Sequence, residues 1–585
     1  MEQLSYWHQT QKTKEYPRLE KDLETGVLIV GGGIAGLSAA YCLTQRGIKP
    51  VLVEADTLCA GTTGSTTGKM TLQHGVIYQN LMKKYGIGVA REFAASQAEA
   101  LRFAAQTVGK YGIACQMAET EACLYALTPE EKDVLLQEYE AAKRMDILAE
   151  WSVKPSFPPK AKALLSYPGQ AVLHPVRYVQ GLADAAAGGG AHLYTHTKAV
   201  SVEEGDMTLV TMENGATVRC HYLIQATQYP LFDGPNVFYA RLYARRDHAV
   251  ALLPAGNWPE GAFINTGEPV RSIRSHMENG RRVLILVGEC HAPGRMEERE
   301  GSPYDRLRDF GQSFAGECRV LAQWSAQDYE TPDQVPYIGR LSVGSNIFVA
   351  AGFNKWGLLS GTLAGMMLAE MIDTGHCKYE ALYGLGRPDI TSSLKKTAGE
   401  VLASAGELIK SKFEGTEEAG GLEKGEGRAI RFHGKRAGAF RGEDGGVFVV
   451  DTTCTHLGTE LHFNSAEKTW DCPAHGGRFQ SNGKLLEGPP KDDLKLLFQG
   501  SYPEYIRALH GGDGPLAKDA PNVEDESMAP GLMTAPDREV PGMGEAPLLG
   551  GEPVPLDVLE PWPGGLPPGS MYGLYPSHPP RGREE

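Results

Sequence analysis

Apolar positions along the chain first cluster at Val27 to Val30, an unbroken run short enough for a strand buried on both faces. Ile34 to Arg46 follows with helical spacing, and Val51 to Glu54 is a second apolar strand, so the opening pattern is one βαβ unit. Tyr78 to Pro175 mixes helix-patterned stretches such as Val89 to Tyr111 with short strands, as an inserted layer would. Strand-like runs recur at Ala199 to Val202, Thr208 to Met212, Thr217 to Ala226, Val283 to Val287 and Ile347 to Ala351. Gly357 to Asp373 predicts a closing helix with small residues on one face. These elements predict a mixed sheet with an added antiparallel domain.

Beyond Ser392 the pattern changes character. Ser392 to Phe413 is amphipathic with helical period and predicts a spacer helix. From about Gly420 to Leu496, short strands and Gly-containing turns predict a small all-β module. From Ser501 to Glu585 the chain is rich in Pro, Gly, Met and acidic residues without periodicity, which predicts disorder. The pattern after Leu496 also breaks off where such a module would add its last strand, as an altered reading frame would leave it.

At 585 residues the chain exceeds one core, consistent with three or four units of ~100 to 200 residues each. Its 57 basic and 72 acidic residues leave a net charge of −15, which argues against nucleic acid as a partner. The first 26 residues lack the apolar core of a secretion signal, and Val27 to Leu43 is interrupted by four glycines, so we expect a cytoplasmic protein with no membrane span. Ten cysteines without a dense framework fit a reducing compartment.

The chemistry begins at GGGIAG, Gly31 to Gly36, placed where a strand ends and a helix opens. Gly31 permits the turn, Gly33 the approach of a pyrophosphate to the helix N-terminus, and Gly36 close packing of helix on strand; Ile34 and Ala35 supply the first helical N–H groups. Glu54, ending the next strand, is placed to accept hydrogen bonds from a ribose. At this level NAD and FAD remain open. The segment AGTTGSTTGKMTLQHG, Ala60 to Gly75, then resembles the second flavin-contacting loop of the D-amino-acid oxidase and glycine oxidase superfamily, with Thr66, Thr67 and Lys69 at cofactor positions. Val200, LIQATQYP with Ala226 and Thr227, and NIFVAAGFNKWGLLSGTLAG with Gly352, Gly357 and Leu358 are similar to further signatures of that superfamily, in order.

The resemblance implies an α/β FAD-binding domain of the glutathione-reductase-like kind with an inserted antiparallel α+β substrate domain. Its expected bounds are an N-terminal arm over 1–25 and an oxidoreductase over 26–385. Within it, 26–77, 176–235 and 330–385 would bind nucleotide, and about 78–175 and 236–329 would form the substrate subdomain. The helix opening at Gly357 would direct N–H groups at the flavin pyrimidine. Asn354, Lys355 and Trp356 would lie near the ring. His74, Tyr78, Arg177 and Lys355 are the candidate catalytic residues, with Gln73 beside them; the first three are as readily structural.

CTHLG at Cys454 to Gly458 and CPAHGG at Cys472 to Gly477 form Cys-x-His and Cys-x-x-His pairs. This is the signature of a Rieske [2Fe-2S] domain, in which Cys454 and Cys472 hold one iron and His456 and His475 the other. Zinc modules favour wider Cys spacing and fit poorly. Thr459, Ala474 and Gly477 stand where respiratory Rieske proteins carry their disulfide and a sulfide-directed hydroxyl, which predicts a potential low in the range of roughly −150 to +300 mV. The expected layout ends with a linker helix over 386–415, the Rieske domain over 416–500 and a disordered tail over 501–585.

Together these features predict oxidation of an amine or amino-acid-like small molecule by hydride transfer to FAD. Electrons would then leave singly through the cluster to a one-electron acceptor, expected to be a protein. The rival expectations are an electron-transfer module facing a protein partner, and a Rieske domain that is mainly structural.

Overall fold

A computed structural model describes residues 4–256, 260–296, 300–387 and 421–509. The strand Leu23–Val30 lies at the centre of the first sheet, parallel to Val51–Val53 on one side and Thr217–Gln225 on the other. Its last four residues are all buried, which is why the sequence there is apolar without alternation. Ile347–Ala351 and His192–Tyr194 extend the parallel set, and helices cover it. Helix Ile34–Gln45 packs on helix Gly357–Thr374 through small residues. A Cβ at Gly365 would stand 2.4 Å from Ser38 Cβ, so the small-residue face expected of the closing helix is the condition for that approach.

The second sheet has nine strands, with Cys318–Glu330, Tyr243–Pro254, Arg281–His291 and Ser272–Glu278 running antiparallel in that order. Ala262–Asn265 joins it in parallel to Ala118–Ala126. Strand Lys69–Met70 closes the far edge, so the flavin-loop segment of the sequence ends inside the substrate sheet. The expected division at residue 77 falls after this strand.

The C-terminal module is all-β. One four-stranded sheet runs Gly427–Phe432, Lys435–Arg441, Gly446–Val450, Leu496–Ser501. The other runs His462–Asn464, Thr469–Asp471, Arg478–Gln480, Leu485–Glu487. The missing last strand is present: Leu496–Ser501 pairs antiparallel with Gly446–Val450, and helix Tyr502–Leu509 buries Tyr505 and Ala508 against this sheet. Order thus extends past the expected start of the tail at 501. The sequence hid this because an eight-residue helix directly precedes the Pro- and Gly-rich composition. The tail from 510, and the linker helix almost entirely, fall outside the described residues. No helix among the described residues is long and apolar enough to cross a membrane.

Candidate functional site

A cavity of about 720 Å³ lies where the first sheet, the substrate sheet and the C-terminal module meet. Gly31, Gly33, Ile34, Ala35, Glu54, Thr66, Thr67, Lys69, Ala226, Thr227, Gly352, Gly357, Leu358 and Lys355 all line it. Gly36 does not, and its reason is packing: a Cβ there would sit 1.9 Å from the Gly31 carbonyl oxygen. Val200 also misses the cavity. The pairing of Ala199–Glu203 with Thr208–Met212 slips between Ala199 and Ser201, and Thr197, Lys198 and Ala199 face inward instead.

The residues present fit FAD. Gly31 has φ +114, and a Cβ on it would stand 2.4 Å from the Ala226 carbonyl oxygen. Two helix N-termini, at Gly33 and Trp356, open at the cavity, as an anionic cofactor requires. Glu54 is held there by the N–H groups of Gly32 (2.6 Å) and Asp56 (3.0 Å); burial raises its pKa against those bonds. Lys69 donates to Ser272 Oγ (2.8 Å), and burial, then the neighbouring Arg274, lowers its pKa to about 7. Lys355 lies 2.9 Å from Asp247; burial opposes its charge, yet Asp247, Cys290 and Glu330 keep its pKa above the ordinary lysine value.

Three of the four candidate catalytic residues lie elsewhere. His74 stacks on Trp356 with ring centroids 5.0 Å apart, but faces an adjoining cavity of about 400 Å³. Its Nε2 hydrogen-bonds the Thr71 carbonyl, and burial lowers its pKa to about 3, so it is a neutral packed imidazole. Tyr78 is wholly buried and donates to the Leu72 carbonyl (2.7 Å). Arg177 lines a separate surface cleft and pairs with Glu278 at 3.2 Å, because its helix Pro175–Gly188 faces away from the cavity. Gln73 is buried in the loop between, and Asn354 accepts from the Thr331 N–H (2.7 Å).

The N-terminal arm carries no pattern that announces a role, yet its helix Tyr6–Thr10 underlies the cofactor loop. Trp7 Nε1 donates to the Thr66 carbonyl (2.6 Å), Ser5 Oγ to the Gly64 carbonyl (2.5 Å), and Trp7 is 0% exposed. Trp7→Ala should cost roughly 3–5 kcal/mol of stability. It should also weaken FAD retention, read by urea unfolding and by flavin content after gel filtration; unchanged values in both would contradict this role.

In the C-terminal module two loops repeat one geometry. Gly458 N donates to the Cys454 carbonyl (2.9 Å) and Gly476 N to that of Cys472 (3.1 Å). Cys454 N reaches the Thr459 carbonyl, and Cys472 N that of Gly477. Each loop turns on a left-handed glycine, Gly458 at φ +76 and Gly476 at φ +79. The turns bring Cys454 and Cys472 within mutual hydrogen-bonding range and set the His456 and His475 ring centroids 5.2 Å apart. Both His Nδ1 atoms are buried with no hydrogen-bond partner among the described residues. Burial lowers both imidazole pKa values, that of His475 to about 4. Two thiols facing two neutral imidazoles with orphaned nitrogens is the donor set of a Rieske cluster.

Comparison with known proteins agrees. Residues 26–371 match the family model DAO, FAD dependent oxidoreductase, and residues 416–499 match the Rieske [2Fe-2S] domain. The chain belongs to the FAD dependent oxidoreductase family and carries a C-terminal Rieske domain; its cofactors are FAD and a [2Fe-2S] cluster. It is 33% identical over 495 residues to YhfW of Bacillus subtilis (strain 168), named as a Rieske 2Fe-2S iron-sulfur protein, covering 84% of this chain and 97% of that one. With glycine oxidase of Geobacillus kaustophilus (strain HTA426) it shares 23% identity, over 64% of this chain and 98% of the relative. The crystal structure of glycine oxidase from Geobacillus kaustophilus aligns with TM-score 0.52 at 21% identity, over 62% of this chain and 99% of that one, which shows the fold of the first domain.

Several cavity residues gave no signal in the sequence. Asp247, Ser272, Gln327, Asp328 and Tyr329 come from the substrate sheet, and Leu485 to Lys491 from the Rieske domain. The domains meet closely. Gln327 Nε2 donates to the Gly476 carbonyl (2.8 Å), and Tyr329 OH to those of Gly488 (3.0 Å) and His475 (3.5 Å). Tyr239 meets the rings of His456 and His475 edge-on, at 6.2 and 5.6 Å.

Proposed function

We propose that this protein oxidises an amine or amino-acid-like small molecule and passes the electrons one at a time through its Rieske cluster to an external acceptor, a protein. The observation that carries the reading is the shared wall between the two sites. Gln327 and Tyr329 line the FAD cavity and at the same time bind the backbone of the loop that holds His475. FAD supplies a two-electron acceptor, whereas the cluster moves electrons singly, so adjacency is what the pairing requires.

Within the cavity the residues divide by task. Gly31, Gly33, Ile34, Ala35, Thr66, Thr67, Ala226, Thr227, Gly352, Gly357 and Leu358 hold the dinucleotide, and Glu54 takes the ribose hydroxyls. Lys355, fixed by Asp247, places positive charge by the flavin ring. Lys69 has the Ser272 hydroxyl as partner and no carboxylate in ion-pair range among the described residues, and no arginine lines the cavity. Lys69, whose pKa of about 7 lets a bound anion draw it into the charged form, is the residue we assign to an anionic group of substrate or flavin. The glycine oxidase relative supports C–N oxidation as the reaction class. The eight cysteines outside the cluster, none in a disulfide, support a reducing compartment, the cytoplasm.

The test is anaerobic mixing of the holoprotein with amines, amino acids and reduced nicotinamides. Bleaching of flavin absorbance by an amine or amino acid, followed by the electron paramagnetic resonance signal of the reduced cluster, is expected. A flavin inert to every small molecule but reduced by a protein donor would replace this reading with that of an electron-transfer module. Flavin bleaching with a permanently silent, metal-replete cluster would make the Rieske domain structural.

A further inference from the structure

We infer that the loop Leu485 to Lys491 of the Rieske domain is part of the FAD site, so that the oxidoreductase domain keeps its FAD only while the Rieske domain is docked. Seven consecutive residues of this loop line the same cavity as the glycine turn. Leu485, Leu486, Pro489 and Pro490 offer it an apolar face suited to an aromatic ring, and Lys491 adds a cation suited to a dinucleotide's charge.

The loop is held from both sides. Tyr329 OH donates to the Gly488 carbonyl, and Glu487 pairs with Arg246 of the first domain at 3.3 Å and Arg478 of its own at 3.0 Å. Toward the cluster, a Cβ at Gly477 would meet Pro490 Cγ at 2.6 Å, and Thr455 Oγ1 donates to the Asp492 carbonyl (2.8 Å). One short segment is therefore clamped between the two cofactor sites.

Docking itself rests on a buried ionic network. Arg246, 3% exposed, binds Glu467 through two nitrogens, and Glu467 also lies 3.4 Å from Arg478. Removing one partner of such a buried pair leaves an uncompensated charge inside the interface. Neither Arg246 nor Glu467 lines the cavity, so the clamp can be broken without touching the FAD contacts. Gly294 offers a second, independent wedge: its Cβ would stand 2.8 Å from the Asp471 carbonyl oxygen across the interface.

The experiment follows FAD release from the full-length holoprotein by its gain in fluorescence, with no substrate present, so it stands whatever the substrate proves to be. Glu467→Gln and Gly294→Val should enlarge the radius of gyration by X-ray scattering and speed FAD release at least about tenfold. Undocked variants that release FAD within about twofold of the wild-type rate would overturn the inference. Leu486→Glu, at a half-exposed position next to Glu487 that removes no member of the ionic network, tests the loop directly. Faster FAD release with the cluster signal intact is expected there, and an unchanged rate would overturn the inference even where both clamp variants stay docked.

Discussion

Cys454→Ser, Cys472→Ser, His456→Ala and His475→Ala should each abolish the iron-sulfur centre while leaving flavin absorbance in place. The four side chains come from two loops of the same backbone geometry, and none is replaceable by a neighbour. Thr455 and Ala474 sit inside the two loops, and neither a hydroxyl nor a methyl replaces a thiolate or an imidazole on iron, while Asp471 beside Cys472 is held by Arg478 at 3.2 Å. The His Nδ1 atoms are buried without hydrogen bonds, so each histidine is placed for a ligand and for nothing else among the described residues. Iron should fall from two per chain to near zero, since a [2Fe-2S] centre that loses one ligand exposes an open iron to solvent. The Rieske resonance signal should vanish with it. Most FAD-cavity residues, Gly31, Gly33 to Ala35, Thr66, Thr67 and Lys69 among them, lie in the other domain, and the Rieske contribution comes from Leu485 to Lys491 rather than from the two ligand loops, which is why the flavin should still copurify. A variant that kept both irons and the signal would remove that residue from the ligand set.

The sequence could announce these ligands because each site is local. Cys454 to Gly458 and Cys472 to Gly477 carry both donors and the glycine that turns each loop, so spacing alone encodes the geometry. The same holds for Gly31 to Gly36, where turn, helix start and packing contact fall within six residues. The substrate side is another matter. Asp247, Ser272 and Tyr329 reach the cavity through strand pairing across the second sheet, and no local pattern marks which face of a buried strand points inward. His74 is a candidate by its place just beyond the flavin loop, and Tyr78 and Arg177 as groups able to bind a carboxylate, and neither ground fixes where the side chain points. Tertiary packing then took His74 behind Trp356, Tyr78 onto the Leu72 carbonyl, and Arg177 to the far side of its helix. Val200 lies one residue beyond the stretch Thr197 to Ala199 that lines the cavity, at an irregularity in strand pairing that no local pattern announces. The buried arm at Tyr6 to Thr10 was illegible for a different reason: five residues are too few for a periodic signal, and their importance lies in Trp7 reaching under a loop nearly 60 positions away.

Gly33→Val should empty the FAD site and spare the fold, whereas Gly36→Val should destroy the fold itself. Gly33 precedes helix Ile34–Gln45 with φ −83 and ψ −170, extended backbone that any residue adopts. A Cβ there crowds only the Thr63 side chain, with Oγ1 at 3.0 Å, so the cost is one loosened hydrogen bond from the Ile34 N–H at the helix start rather than displaced backbone. The added methyl groups would instead enter the cavity where a pyrophosphate must approach the helix N-terminus, so FAD is excluded by volume. Gly36 offers no such latitude. Its Cβ would lie 1.9 Å from the Gly31 carbonyl oxygen and 3.3 Å from Ile29 Cγ2, so strand and helix must separate. Overpacking of ~1–3 kcal/mol is the usual cost when side chains can give, and a backbone obstacle raises it. Flavin content, urea unfolding and the cluster signal distinguish the two: Gly33→Val should be colourless in the flavin bands yet cooperative in unfolding and normal in iron. Gly36→Val should lose cooperative unfolding of the first domain. Retention of stoichiometric FAD by Gly33→Val would mean that the dinucleotide does not cross this turn, and the assignment of the cavity's phosphate end would have to be abandoned.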